Sequence, residues 1–201
     1  MSILTDTQKH SAMYYGGTTQ KKAKAAMRRT ATHLAAVQDS LQLGTLGPLK
    51  PDELATLAHA AQIMRRLADL TEHAGEEADR IKTRIDHRRA EALSALNAAP
   101  VASTADQVAL IALGSYPFEL RSLARDCAEF GAHRELPNKL RDARQSIAWD
   151  AAKSDQKPAD FIAAKLATLP TVRQAHDTLI RQIEQIVETQ TAERESRKAA
   201  A

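Results

Sequence analysis

The stretch PDELATLAHAAQIMRRLADLTEHAGEEADRIKTRIDHRRAEALSALNAA, residues 51–99, decides the fold. Pro51 followed by Asp52 and Glu53 reads as a helix start. The fixed φ of proline suits the first helical position, and carboxylates there face the positive end of the helix dipole. No firm break follows until Pro100. Leu57, Ala60, Met64, Leu67, Thr71, Ala74, Ala78, Ile81, Ile85, Arg88, Ala92 and Ala95 recur at spacings of three and four, and ten of these twelve are apolar. That is heptad spacing. A helix of about 45 residues at 1.5 Å each is roughly 65 to 70 Å long, longer than a small globular domain, so a coiled-coil arm or hairpin is predicted.

Towards the N terminus, the loop GTLGPLKP precedes this helix. Before the loop, Ala23, Met27, Thr30, Leu34, Val37 and Leu41 form one stripe of a second helix, residues 19 to 43, that stops at Gly44 and can fold back along the first. Thr18 or Thr19 can cap it, after a break at Gly16-Gly17. A short helix over residues 3 to 14 comes first.

On the C-terminal side the elements shorten. Thr104 with Gln107 reads as a capping box for a helix ending at Gly114. Pro117 opens a helix running to about Gly131, Pro137 one that contains Trp149, and Pro158 another. The last helix, Thr171 to Lys198, carries Val172, Leu179, Ile183 and Ile186 on one face and a charged end, TAERESRK, expected to fray.

Composition agrees with helix throughout. Alanine fills 39 of 201 positions, whereas Phe, Tyr and Trp total seven. Alanine favours helix, and the residues that fill strands are scarce. Alanine also buries little apolar area at roughly 25 cal/mol per Å², so a single chain is expected to be under-cored and a homo-oligomer to supply the missing burial. The larger apolar residues of the long stripe, Met64, Leu67, Ile81 and Ile85, are the expected self-association contacts.

Catalysis is not expected, nor a cofactor. The seven glycines are isolated apart from one pair, so neither a P-loop nor a GxGxxG turn can be assembled. Cys127 is the single cysteine, which excludes an intramolecular disulfide and fits a reducing compartment. It reads as a small buried apolar residue rather than a nucleophile paired with His133. Asp69, His73, Glu76 and Glu77 share a helix face, but a bundle metal site needs a second helix with a similar set, so a solvated charged face is the expected reading. No apolar run approaches 18 residues, and the start MSILTDTQKH lacks the basic flank and apolar stretch of a secretory signal. Neither membrane insertion nor export is therefore expected.

Charge is unevenly placed. Between Thr7 and Gln38 there is no acidic residue, and Lys9, Lys21, Lys22, Lys24, Arg28 and Arg29 carry the whole +3 excess of the chain. Lys21, Lys22, Lys24, Arg28 and Arg29 could neutralise nucleic-acid phosphates, beside Tyr14 and Tyr15 for stacking. The reading favoured over this is a solvated helix face complementing an acidic surface elsewhere in the chain. Asp69, Glu72, Glu76, Glu77 and Asp79 are followed by Arg80, Lys82, Arg84, Arg88 and Arg89. Two copies crossing antiparallel near Arg80 would match opposite charges; the local alternative is a Glu76–Arg80 pair within one helix.

The segment Gly114-Ser115-Tyr116-Pro117-Phe118-Glu119-Leu120-Arg121-Ser122-Leu123-Ala124-Arg125-Asp126-Cys127-Ala128 resembles the central helix of the polarity suppression proteins of satellite bacteriophages. The order of elements is similar too: a basic helix, a Gly-containing loop, a long helix, this Tyr-to-Cys helix, then a helix with a buried Trp, matched by Trp149. Beyond Trp149 this chain departs from the pattern, with a longer and more regular final helix.

The resemblance implies an intertwined, coiled-coil-containing homodimer that binds the hexameric transcription terminator Rho, stalling its ATPase and translocation, and that also decorates a capsid exterior. It thereby implies the bacterial host cytoplasm and the virion surface as locations. Contacts to Rho are implied towards the C terminus, where Arg173, Arg181, Glu184 and Glu188 are the exposed candidates. The whole expectation is an all-α chain: an N-terminal segment (1–17), a long helical hairpin or coiled-coil arm (18–100), and a compact helical cluster with a long C-terminal helix (101–201).

Overall fold

The computed structural model describes residues 4–43, 50–114 and 119–200. Among them there is no strand, and the chain is all-α. The expected stop at Gly44, the loop after it up to residue 49, and the helix-opening Pro117 lie outside the described residues.

The chain divides into two compact units, Met1–Ile85 and Asp86–Ala201. The expected boundary at residue 100 is thus displaced to the middle of a helix. The reason is that the last turns of that helix carry Ala92 and Leu96, both fully buried among residues of the second unit.

In the first unit, α1 (Asp6–Tyr15) starts at a capping box: Gln8 N–H donates to Thr5 Oγ1 at 3.3 Å, and Thr5 N–H to Gln8 Oε1 at 2.9 Å. Gly16, at φ +58°, ends it, in the left-handed region that suits glycine. Neither Thr18 nor Thr19 caps α2 (Thr18–Gln42). The Thr18 hydroxyl donates back to Tyr15 O, and the N–H of Gly17 donates across to Asp79 Oδ1 at 2.8 Å. α2 runs antiparallel to the first half of α3 (Pro51–Ala98), with Gly17 at Asp79, Lys24 at Glu72 and Arg28 near Asp69.

The face that α3 buries differs from the one predicted. Ala61, Ala68, Gly75, Ala78, Ile85, Ala92 and Leu96 are buried, whereas Leu67 is 40% exposed. Ala78, Ile85 and Ala92 belong to the predicted stripe, and Ala61, Ala68, Gly75 and Leu96 each lie one residue beyond a predicted position. The reason is steric: Ala61, Ala68 and Gly75 let α2 approach closely, which Leu67 would prevent. A Cβ added at Gly17 would lie 2.4 Å from the Gly75 carbonyl oxygen.

In the second unit, α4 (Thr104–Gly114) is the central helix. Its cap is Ser103, whose Oγ accepts from Asp106 N–H at 3.1 Å, in place of the predicted Thr104–Gln107 box. Val108, Ala109, Leu110 and Ile111 are buried in succession, so the helix is apolar all round, as a core helix must be. One cluster packs Val108 and Ile111 with Leu120, Leu123 and Cys127, and with Ile180 and Ile183; the other packs Leu110 with Leu96, Ile147 and Ile162. A fully buried Leu or Ile contributes about 1.5–3 kcal/mol, and this unit holds most of them.

Helix α5 (Glu119–Asp126) continues into a π-helical turn, Cys127–Gly131, and Gly131 at φ +98° redirects the chain into α6 (Ala132–Lys153). Pro137 therefore lies inside α6 and does not open it. Having no N–H, it leaves the His133 carbonyl without its helical donor. After α7 (Pro158–Ala167), the predicted single final helix is two, α8 (Leu169–Ala175) and α9 (Asp177–Ala199), separated at His176, whose φ of −119° is not helical. The end expected to fray is helical to Ala199.

Candidate functional site

The basic helix is placed first by its partners. Lys21 Nζ lies 2.8 Å from Asp79, Lys24 pairs with Glu72, and Arg28 lies 3.5 Å from Glu72 and 3.8 Å from Asp69. Three of the five residues considered for nucleic acid thus face carboxylates of α3, while Lys22 and Arg29 are exposed. The Lys21 ammonium, followed by the Gly17 N–H, holds the Asp79 carboxyl below its ordinary pKa.

The same pairs bear on self-association. Asp69, Glu72 and Asp79, three of the five acids set aside for a second copy, are matched within the chain. On the basic half, the Arg88 guanidinium donates to the carbonyls of Ala152 at 3.0 Å, Ser154 at 2.6 Å and Gln156, and Arg89 to Gln145. Arg80 donates from Nε to the Glu76 carbonyl, not to its carboxylate. Of the four apolar contacts expected, Ile85 is 4% exposed within one chain and is not available to a partner. Ile81 packs partly against Leu4, Ala12 and Ala78, and Met64 is half-buried. Leu67 stands with Ile63 and Leu70 in an exposed stripe on α3, and the last two were not anticipated. Spacing of four and three would have revealed them, had the large residues been assigned to a face other than the small ones.

In the second unit, Cys127 is fully buried and its thiol is pushed up to about 11, by burial first and then by the charges of Glu135 and Asp126. A thiol so placed stays protonated at neutral pH and is a weak nucleophile. Trp149 is half-buried, with the Arg89 guanidinium 5.5 Å and the Lys153 ammonium 5.2 Å from its ring centre. The resemblance implied a buried Trp; here Ile147, Ala148 and Ala151 fill the core positions of that helix.

The four charged candidates near the C terminus are dispersed over two helices. Arg173, on α8, binds Asp106 at 2.9 Å, and Arg181 binds Asp177 at 2.9 Å within α9. Glu184 is half-buried and Glu188 exposed. The face of α9 bearing Val187, Gln190 and Arg194 lines a cavity with the starts of α4 and α6, which the sequence reading had not singled out. Among the described residues no group of three or more His, Cys, Asp or Glu side chains is arranged to hold a metal ion, and no helix is long and apolar enough to cross a membrane.

No family model matches the chain, and neither a curated protein nor a solved structure does.

Proposed function

We propose that this chain acts by protein–protein contact, as an inhibitor of the transcription terminator Rho of the polarity suppression class, with attachment to a capsid exterior as its second role. The observation that carries the reading is the segment of residues 114–128, whose Leu120, Leu123, Ala124 and Cys127 are all buried in one core cluster. These apolar residues of the segment are thus scaffold, while Arg121 and Arg125 are exposed. On this reading the partner surface is the exposed side of α8 and α9, with Arg173, Arg181, Glu184 and Glu188 at its contacts.

Such an inhibitor needs no bond-making chemistry. A rigid helical dimer that bridges subunits of a ring-shaped motor stalls it, and a few well-packed anchors supply the affinity. The second copy docks on the exposed stripe of Ile63, Leu67 and Leu70, because Asp69, Glu72, Asp79, Arg88 and Arg89 are engaged within one chain. The nucleic-acid alternative loses weight for the same reason: three of its five cations already have carboxylate partners.

Purified chain titrated into Rho with RNA-stimulated ATP hydrolysis as readout tests the reading. ATP turnover should fall saturably at micromolar concentration, and Arg181→Glu with Glu188→Arg should weaken the effect. Undiminished turnover together with no complex by light scattering would remove it.

A further inference from the structure

On α9, Val187, Gln190, Thr191 and Arg194 recur at i, i+3, i+4 and i+7 and so share one face. That face lines a solvent-open cavity of about 190 Å³ together with Thr104 and Gln107 of α4 and His133 and Leu136 of α6. Gln190 is part of the wall: its Nε2 donates to Cys127 O at 2.9 Å and its Oε1 accepts from Ala132 N–H at 2.7 Å. Both atoms of its amide are occupied in holding the π-helical turn beside the start of α6. The Thr191 hydroxyl donates to Val187 O at 2.7 Å. The groups left to meet a ligand are the Arg194 guanidinium, the His133 ring, the Gln107 amide and the Thr104 hydroxyl.

These groups favour one sign of charge. No Asp or Glu lines the cavity, and among the described residues no ion pair engages Arg194. The cavity lies at the N-terminal turns of α4 and α6, where the helix dipole favours an anion, although the Asp106 and Ala132 N–H groups there are already engaged by Ser103 and Gln190. Gly131 admits the His133 ring: a Cβ there would lie 2.7 Å from its Cε1. Leu136, Pro137 and Val187 add apolar lining. A cavity of about 150 Å³ accommodates a benzene ring, so the space here suits a ring-sized apolar body bearing one anionic group.

We infer that this cavity is a binding site for a small organic carboxylate, its apolar body on Leu136, Pro137 and Val187 and its carboxylate at Arg194. The site is independent of the contacts proposed for Rho.

The test is titration of the ¹⁵N-labelled full chain with benzoate, benzamide and inorganic phosphate, followed by backbone amide shifts. Benzoate should shift the amides at the start of α6 and along α9 saturably. Benzamide, of the same shape without the charge, and phosphate, with the charge but no apolar body, should each bind several-fold more weakly. Arg194→Gln, at an exposed position, should weaken benzoate about tenfold, the effect of one charge-assisted contact, and leave benzamide unchanged. Absence of saturation by benzoate, equal binding of benzoate and benzamide, phosphate binding as tightly as benzoate, or unaltered benzoate affinity in Arg194→Gln would each overturn the inference.

Discussion

Gly17 and Gly75 occupy the same crossing but carry different burdens. A Cβ on Gly17 meets the backbone of residue 75, at 2.4 Å from the oxygen and 2.9 Å from the carbonyl carbon, whereas a Cβ on Gly75 lies 3.3 Å from the Gln20 Cβ and 3.8 Å from the Gly17 oxygen. The first contacts lie below any separation a real Cβ shows, but the second are tight at most. Gly17→Ala should therefore destabilise the first unit by about 1–3 kcal/mol, the range for overpacking. Gly75→Ala should lie within about 1 kcal/mol of the parent, because the gain in helix propensity offsets the crowding. Urea melts of the two variants distinguish these outcomes. Asp79 adds a pH dependence to the same corner. Its folded pKa is lowered by Lys21 and Gly17, so its contribution is fully present above the ordinary carboxylate pKa of about 3.9 and is lost as pH falls through the lowered folded value. Asp79→Asn should remove that acid-side dependence while keeping an acceptor for the Gly17 N–H. Asp79→Ala removes the acceptor as well and should cost about 1 kcal/mol, as loss of a cap does. The sequence carried no sign of this corner, since Gly17 and Asp79 are 62 residues apart and the threonines beside the glycine pair are the better caps by type.

At the scale of elements, the helices were legible and their faces only in part. Pro51, Gly16 and Pro158 each bound a helix as their chemistry predicts, and α3 runs nearly the full length read for it. At Ala68 the stripe was misread by one residue because hydropathy weights Leu67 above it, while a close crossing selects the smaller residue. Pro137 was misread because Gly131 redirects the chain first, leaving the proline to be absorbed in the second turn of α6. His176 is a break without Gly or Pro, and no residue type announces it. Two side chains join elements in ways spacing cannot show: Arg88 gathers the carbonyls at the end of α6, and Gln190 bridges the π-helical turn and the start of α6. Arg88→Lys should destabilise the second unit nearly as much as Arg88→Ala, by about 1–3 kcal/mol, because one ammonium cannot reproduce the fork of the guanidinium. Thermal melts check this, and full stability of the Lys variant would show that charge alone suffices.

For the molecule as a whole, the two units differ in what holds them. The second has large buried side chains in two clusters around α4; the first closes on alanines, glycines and polar pairs, and leaves Ile63, Leu67 and Leu70 outward. A unit so lightly cored is where a second copy adds most. Leu67→Lys with Leu70→Lys should then turn a dimer into a monomer without loss of helix, read by native mass and circular dichroism. The family resemblance supplied the proposed partner but no partner surface: Leu120, Leu123, Ala124 and Cys127 of the matched segment are buried in the core of this chain. The most direct measurement of the central claim is the light-scattering mass of the chain alone and mixed with Rho. The account predicts a particle of twice the 21.9 kDa chain mass that joins the Rho hexamer in one stable complex. A 21.9 kDa monomer that elutes apart from Rho at micromolar concentration would contradict it.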